Sequence, residues 1–127
     1  MLNFETLKKS PKPNSWLVGP AELLAASAPD GPAPVFEAPA AQVFSTLKEV
    51  VQQDSSTSSL QVDEDARHLC YAAKIFVFQD DVDVKVVEIA ADKTELAVYS
   101  RSRVGYSDFG VNRKRVEALV QKIRAAL

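Results

Sequence analysis

The sequence predicts an α+β domain: an antiparallel four-stranded meander sheet with two helices packed on one face, preceded by a Pro-rich extended arm. Three observations carry this expectation. All seven prolines fall within the first 39 residues. Two segments, one after Pro39 and one at the C-terminus, place apolar residues at helical spacing. Between them lie four strand-length runs separated by short Asp-rich breaks.

The arm comes first. Pro11, Pro13, Pro20, Pro29, Pro32, Pro34 and Pro39 exclude a long helix or a central strand from residues 1–39. One short helical turn fits Ala21–Ala26, and Trp16, Leu17 and Val18 read as an apolar anchor pinning the arm to the domain. Pro39 suits the start of a helix. Val43, Phe44, Leu47, Val50 and Val51 share one helical face, and the helix should end near Asp54. Ser55–Ser59 is a polar loop. Strands are expected near Leu60–Val62, His68–Phe78, Val82–Ile89 and Glu95–Arg103. Their separators are Asp63-Glu64-Asp65, Gln79-Asp80-Asp81 and Ala91-Asp92-Lys93, short enough for hairpins and hence for antiparallel pairing. A last helix carries the stripe Val116, Leu119, Val120, Ile123 and Leu127. The organisation is one domain: residues 1–39 as an arm packed on residues 40–127.

Composition excludes several classes. The chain has 127 residues, 46% of them apolar and 25% charged, which is globular and sized for a single domain. Such a domain buries about two thirds of its unfolded surface and needs no disulfide or metal staple. The single cysteine, Cys70, allows no intrachain disulfide. Met1–Glu5 has no basic, then apolar, signal pattern, and no apolar run approaches membrane-spanning length. These features point to the cytoplasm, or to a plastid interior if a transit peptide has been removed. No membrane partner is expected.

Charge is uneven. Residues 1–53 carry four basic and five acidic side chains, residues 54–95 four and ten, and residues 96–127 seven and two. An acidic middle thus precedes a basic tail. Either tail arginines pair with the middle aspartates, or the tail offers an anion site. The overall charge of −2 and a short Arg113-Lys114-Arg115 run without interleaved aromatics argue against nucleic acid.

The densest stretch joins the last strand to the last helix. Gly105 and Gly110 permit sharp turns, and Ser107, Asp108 and Asn112 are candidate helix caps. Arg101 and Arg103 share a strand face leading in, while Arg113 and Arg115 lie in the first helical turns. Guanidinium groups around a helix N-terminus suit a carboxylate or phosphate. The candidate ligand-binding residues are therefore Arg101, Arg103, Tyr106, Asp108, Asn112, Arg113 and Arg115, supported by Asp80, Asp81, Gly105, Ser107 and Gly110. Asp80, Asp81 and Asp83 are placed in the turn before the third strand.

Phe78-Gln79-Asp80-Asp81-Val82, followed by Ser100-Arg101-Ser102-Arg103-Val104-Gly105-Tyr106-Ser107-Asp108, Gly110 and Asn112-Arg113-Lys114-Arg115-Val116, resembles the signature of domain-of-unknown-function family 1499. Pro13-Asn14-Ser15 is similar to that family's N-terminal segment. The resemblance spans residues 12–124 and implies no established reaction. Tyr99 stands where many members carry arginine.

Other chemistries fit poorly. His68 and Cys70 share a strand face but lack a third partner for nucleophilic catalysis. One Cys and one His cannot build a structural zinc site. Asp80, Asp81 and Asp83 lack the glycine and terminal glutamate of a calcium loop. No phosphate loop, dinucleotide motif or serine elbow occurs. No cofactor is expected. The reading favours a non-catalytic binding module for a small anionic ligand or an acidic protein partner. The alternatives are an assembly or adaptor domain, and an enzyme using Asp81 or Asp108 as a base beside arginine.

Overall fold

Pro13 and Pro20 leave a proline-free window between them, and the chain uses it. In the computed structural model, which describes residues 1–127, Ser15–Val18 forms β1. The later elements are β2 (Val35–Phe36), α1 (Ala40–Gln53), β3 (Thr57–Asp63), β4 (His68–Ile75), β5 (Phe78–Ala90), β6 (Lys93–Ser102) and α2 (Val111–Ala126). The meander β3-β4-β5-β6 is the expected one, but the sheet has six strands, not four. The two extra strands come from the arm. Both pair antiparallel with the outer edge of β6, β1 with Val98–Arg101 and β2 with Thr94–Glu95. Edge pairing is where proline-flanked strands are tolerated, and it covers an otherwise open edge. On the far side of β1, Asp30 imitates a further strand: its N–H donates to Leu17 O and its carboxylate accepts from Leu17 N–H.

The other differences are local. Pro39 is the N-cap of α1 rather than its first residue, and the helix closes at Asp54 as expected. Residues 20–24 make one turn, in which Leu23 N–H and Leu24 N–H donate to Pro20 O. The β4–β5 turn sits at Phe76-Val77, not at Gln79-Asp80-Asp81. Asp80, Asp81 and Asp83 are therefore strand residues, paired with Ala73, Ala72 and Cys70 of β4. They tolerate strand positions because each has a cationic partner, described below.

Strand alternation then sorts side chains between two faces. Val82, Val84 and Val86 of β5, with Leu69, Tyr71, Leu96 and Val98, face the helices. They meet Val43, Phe44, Leu47 and Val51 of α1 and Val116, Leu119 and Ile123 of α2 in the main core. The stripes expected for both helices are thus spent on one face of the sheet, except Leu127, which lies past the end of α2 and is exposed. The opposite face is partly covered by the first residues of the arm, where Phe4, Leu17, Leu24, Ala97 and Tyr99 form a second cluster. No helix is long and apolar enough to cross a membrane.

Candidate functional site

The β6–α2 junction is organised around one buried amide. Asn112, in the first turn of α2, is fully buried. Its Nδ2 lies within hydrogen-bond distance of Asn14 O (3.0 Å), Ser102 Oγ (2.9 Å) and Asp108 Oδ2 (2.7 Å). Its Oδ1 accepts from Ser100 Oγ at 2.6 Å and from Arg115 at 2.8 Å. One side chain thus ties together the arm, β6, the loop and α2. Asp108 completes the helix start: its carboxylate accepts from Gly110 N–H at 2.9 Å and Asn112 N–H at 3.1 Å. Gly110 itself has φ 82°, a left-handed geometry that glycine adopts without strain. Burial works against ionised Asp108, but the bonds from the Asn112 amide and the two backbone N–H groups outweigh it and hold its carboxyl below the usual range.

The basic tail is largely neutralised by the acidic middle. Asp80 and Asp81 are consecutive in β5 and so point to opposite faces. Asp80, on the helix side, pairs with Arg115 at 2.8 Å. Asp81, on the other face, receives both Nε and Nη2 of Arg103 in a bidentate pair of 3.0 and 2.8 Å. Arg103 Nη1 also reaches Gln79 at 2.9 Å. Asp83 lies on the same face as Asp81 and accepts from Arg101 at 2.8 Å. Arg101 and Arg103 therefore face away from Arg113 and Arg115. The seven candidate residues do not converge on one pocket.

Asp83 is the most buried of these carboxylates. Besides Arg101 it contacts His68 Nε2 at 2.8 Å and Leu2 N–H at 3.2 Å. Burial opposes its charge, yet the His68 and Arg101 bonds prevail and hold its carboxyl below the normal range. Phe4 packs on the His68 ring, their centroids 5.3 Å apart. Cys70 is half-buried beside them. Burial and the Asp83 charge push its thiol up, the opposite of what a nucleophilic thiolate requires. No cluster of three or more His, Cys, Asp or Glu side chains is placed to hold a metal ion.

Two surface grooves each bring together several candidate or supporting residues. One, of about 560 Å³, runs between the arm and the start of α2. Its lining includes Lys9, Lys12, Trp16, Asp108 and Arg113. Arg113 stacks over the Trp16 ring at 4.8 Å and pairs with Glu117 one turn on. Lys9 pairs with Asp30 at 2.8 Å, while the exposed Lys12 side chain has no partner. The second groove, of about 320 Å³, lies over Cys70, Asp83, Arg101 and Arg103. Between the helices and the sheet, beside Tyr71 and Arg115, there remains only about 70 Å³.

Ser100, Ser102, Asp108, Asn112 and Arg115 thus form one bonded network with Asp80, while Arg103 and Asp81 pair separately on the other face of the sheet. The family described as "Protein of unknown function (DUF1499)" matches residues 10–123. The chain belongs to the DUF1499 family. No curated protein matches it. Among solved structures, this DUF1499 chain is similar to the di-domain ARO/CYC StfQ from the steffimycin biosynthetic pathway, with a TM-score of 0.60 at 12% identity. That match covers 74% of this chain and 43% of StfQ. The di-domain ARO/CYC BexL gives 0.47 at 13% identity over 73% of this chain and 41% of BexL. The Zhui aromatase/cyclase from a Streptomyces species gives 0.42 at 15% identity, over 74% and 84%. The DUF1499 chain spans less than half the length of StfQ and BexL, and the likeness to StfQ shows a shared fold.

Two residues that the structure ties into these networks, Asp83 and Asn14, are not among the candidates read from the sequence. From sequence Asp83 reads as a turn residue, and its contacts with His68 and Arg101 depend on strand register. Asn14 ties the arm to the junction: its O accepts from Ser102 N–H and Asn112 Nδ2, and its own Nδ2 donates to Gly105 O at 3.0 Å. The signal for Asn14 was the Pro13-Asn14-Ser15 segment. Tyr106, by contrast, is exposed and makes no framework bond.

Proposed function

We propose that the protein is a non-catalytic binding module that takes a small anionic ligand or an acidic peptide in the groove between the arm and the start of α2. The observation carrying this reading is the charge left over in that groove. Asp30 is committed to Lys9 and β1, and Asp108 to the helix cap. Lys12 is unpaired, and Arg113 has only an exposed partner in Glu117 while Trp16 holds its guanidinium in place. A stacked, pre-oriented guanidinium beside a free ammonium suits a carboxylate or phosphate. In this reading Ser107 and Gly110 shape the groove and Asn112 and Arg115 brace it from behind, whereas Arg101 and Arg103 lie outside it on the other face of the sheet.

Catalysis by Asp108 is disfavoured, because a general base working near neutrality needs a raised pKa and Asp108 is held down. A bulky apolar ligand between helices and sheet is disfavoured as well. The roughly 70 Å³ there falls short of the ~300 Å³ at which small-molecule sites begin.

The test is titration calorimetry with inorganic phosphate and with a glutamate-rich peptide. Wild type should bind at least one, and Lys12→Ala/Arg113→Ala should weaken that binding by about tenfold or more, at an unchanged melting temperature. Equal binding by wild type and variant would remove the groove from the reading.

A further inference from the structure

One end of the sheet carries more exposed apolar side chain than the fold explains. The β4–β5 turn presents Phe76 at 97% exposure and Val77 at 88%, followed by the half-exposed Phe78. The β6–α2 loop adds Val104, Tyr106 and Phe109, the last at 91%. Because Asp80 pairs with Ser102, both segments leave the sheet at the same end. Single exposed apolar residues are ordinary, but two tips that share an end and carry three phenylalanines, two valines and a tyrosine mark an interaction surface.

A second observation concerns the backbone. Phe76 has φ 55° and Phe109 has φ 53°. Left-handed geometry is unfavourable for bulky residues and is ordinarily filled by Gly or Asn. Both rings thus sit at positions that disfavour them locally, and neither gains burial in return. Folding alone selects against phenylalanine at both sites, which leaves an external contact as the reason for it.

The occupant follows from shape and charge. Adjacent side chains exposed this fully protrude from the surface and frame no pocket for a partner's side chain. A lipid interface accepts protruding rings without needing a complementary surface, and aromatic residues favour that depth. Every carboxylate of these segments is internally committed: Asp80 to Arg115, Asp81 to Arg103, and Asp108 to the helix cap. Lys74, just before the first tip, and Lys114, just after the second, are exposed and unpaired. The charge left free is positive and suits anionic headgroups.

We infer that Phe76, Val77 and Phe109 insert into the interfacial region of an anionic lipid surface, with Lys74 and Lys114 against its headgroups. This goes beyond the anion groove, whose residues are not those of the tips. It also concerns a different feature from the spanning helix that the sequence lacks.

Flotation of the full chain with two kinds of vesicle tests it: phosphatidylcholine alone, and phosphatidylcholine with phosphatidylserine in equal parts. Wild type should float with the mixed vesicles, far less with the neutral ones, and less as salt rises. Phe76→Asn/Phe109→Asn should lose binding by about tenfold per ring, while melting at or above the wild-type temperature and retaining wild-type titration with phosphate. Three outcomes overturn the inference: no flotation with either vesicle, flotation of the double variant equal to wild type, or a wild-type dimer that the double variant dissociates while vesicles bind neither protein. The last would assign the tips to a second copy of this chain. Loss of phosphate titration in Lys12→Ala/Arg113→Ala with flotation intact would show that groove and tips act separately.

Discussion

Asp83→Ala is the sharpest probe of the sheet's arm-side face. The wild-type carboxylate is almost wholly buried and holds three partners, His68, Arg101 and Leu2 N–H. Removing one member of a buried charged network costs about 3–5 kcal/mol, mostly by leaving its partners unsatisfied. Here the lower end applies. The Arg101 side chain retains 26% exposure and can turn to water, whereas His68 at 8% cannot. A loss of about 3 kcal/mol lowers the melting temperature by about 10 °C for a domain of this size. Asp83→Asn keeps the shape and one acceptor and should lose about half as much. The pH dependence follows from the direction of the shift. The Asp83 carboxyl titrates below its usual value in the folded state. Its contribution is therefore complete above the unfolded carboxylate value of about 3.9 and is lost as pH falls through the lower folded one. Urea melts at neutral pH and in acid should show wild type and Asp83→Asn converging below about pH 4. If Asp83→Ala melts within about 2 °C of wild type, or if the gap is unchanged in acid, the buried network does not hold this face together.

Two further results separate framework from surface. Arg115→Ala should cost about 3 kcal/mol, because Arg115 is mostly buried and serves Asp80, Ser100 and Asn112, whereas Arg103→Ala should cost at most about 1 kcal/mol from its exposed pair with Asp81; equal urea midpoints for the two variants would contradict this. Asp108→Ala should cost about 1–2 kcal/mol through loss of the α2 cap, and because its carboxyl also titrates low, the penalty should be full at neutral pH and fade in strong acid when followed by circular dichroism.

The regular parts of the fold were legible because burial has a period. Val43, Phe44, Leu47 and Val51 marked α1, and Val116, Leu119 and Ile123 marked α2, since a helix facing one sheet must repeat its apolar side every turn. What stayed illegible breaks that link between polarity and position. Phe76 and Val77 form a turn out of apolar residues, so from sequence His68–Phe78 reads as one strand and the turn falls at Gln79-Asp80-Asp81. Asp80 and Asp83 are buried in a strand because Arg115 and Arg101 meet them there, partners more than fifteen residues distant in the chain. β1 and β2 were hidden by the surrounding prolines, which forbid a central strand but permit an edge one.

The candidate site shows the same limit at finer grain. The sequence located where charge is concentrated, but whether a charge is free depends on register. A one-residue step along β5 sends Asp80 to the helices and Asp81 to the opposite face, so neighbouring carboxylates neutralise arginines on two sides of the sheet. Of the four candidate arginines, Arg101, Arg103 and Arg115 pair with carboxylates of β5. Arg113 lies on the exposed side of α2, where it stacks on Trp16 and pairs with the exposed Glu117 rather than with β5. Much of the motif is engaged in bonds that join β5, β6, the start of α2 and the arm. Beside it, Lys12 is unpaired, Arg113 is exposed, and the rings of Phe76 and Phe109 stand in solvent.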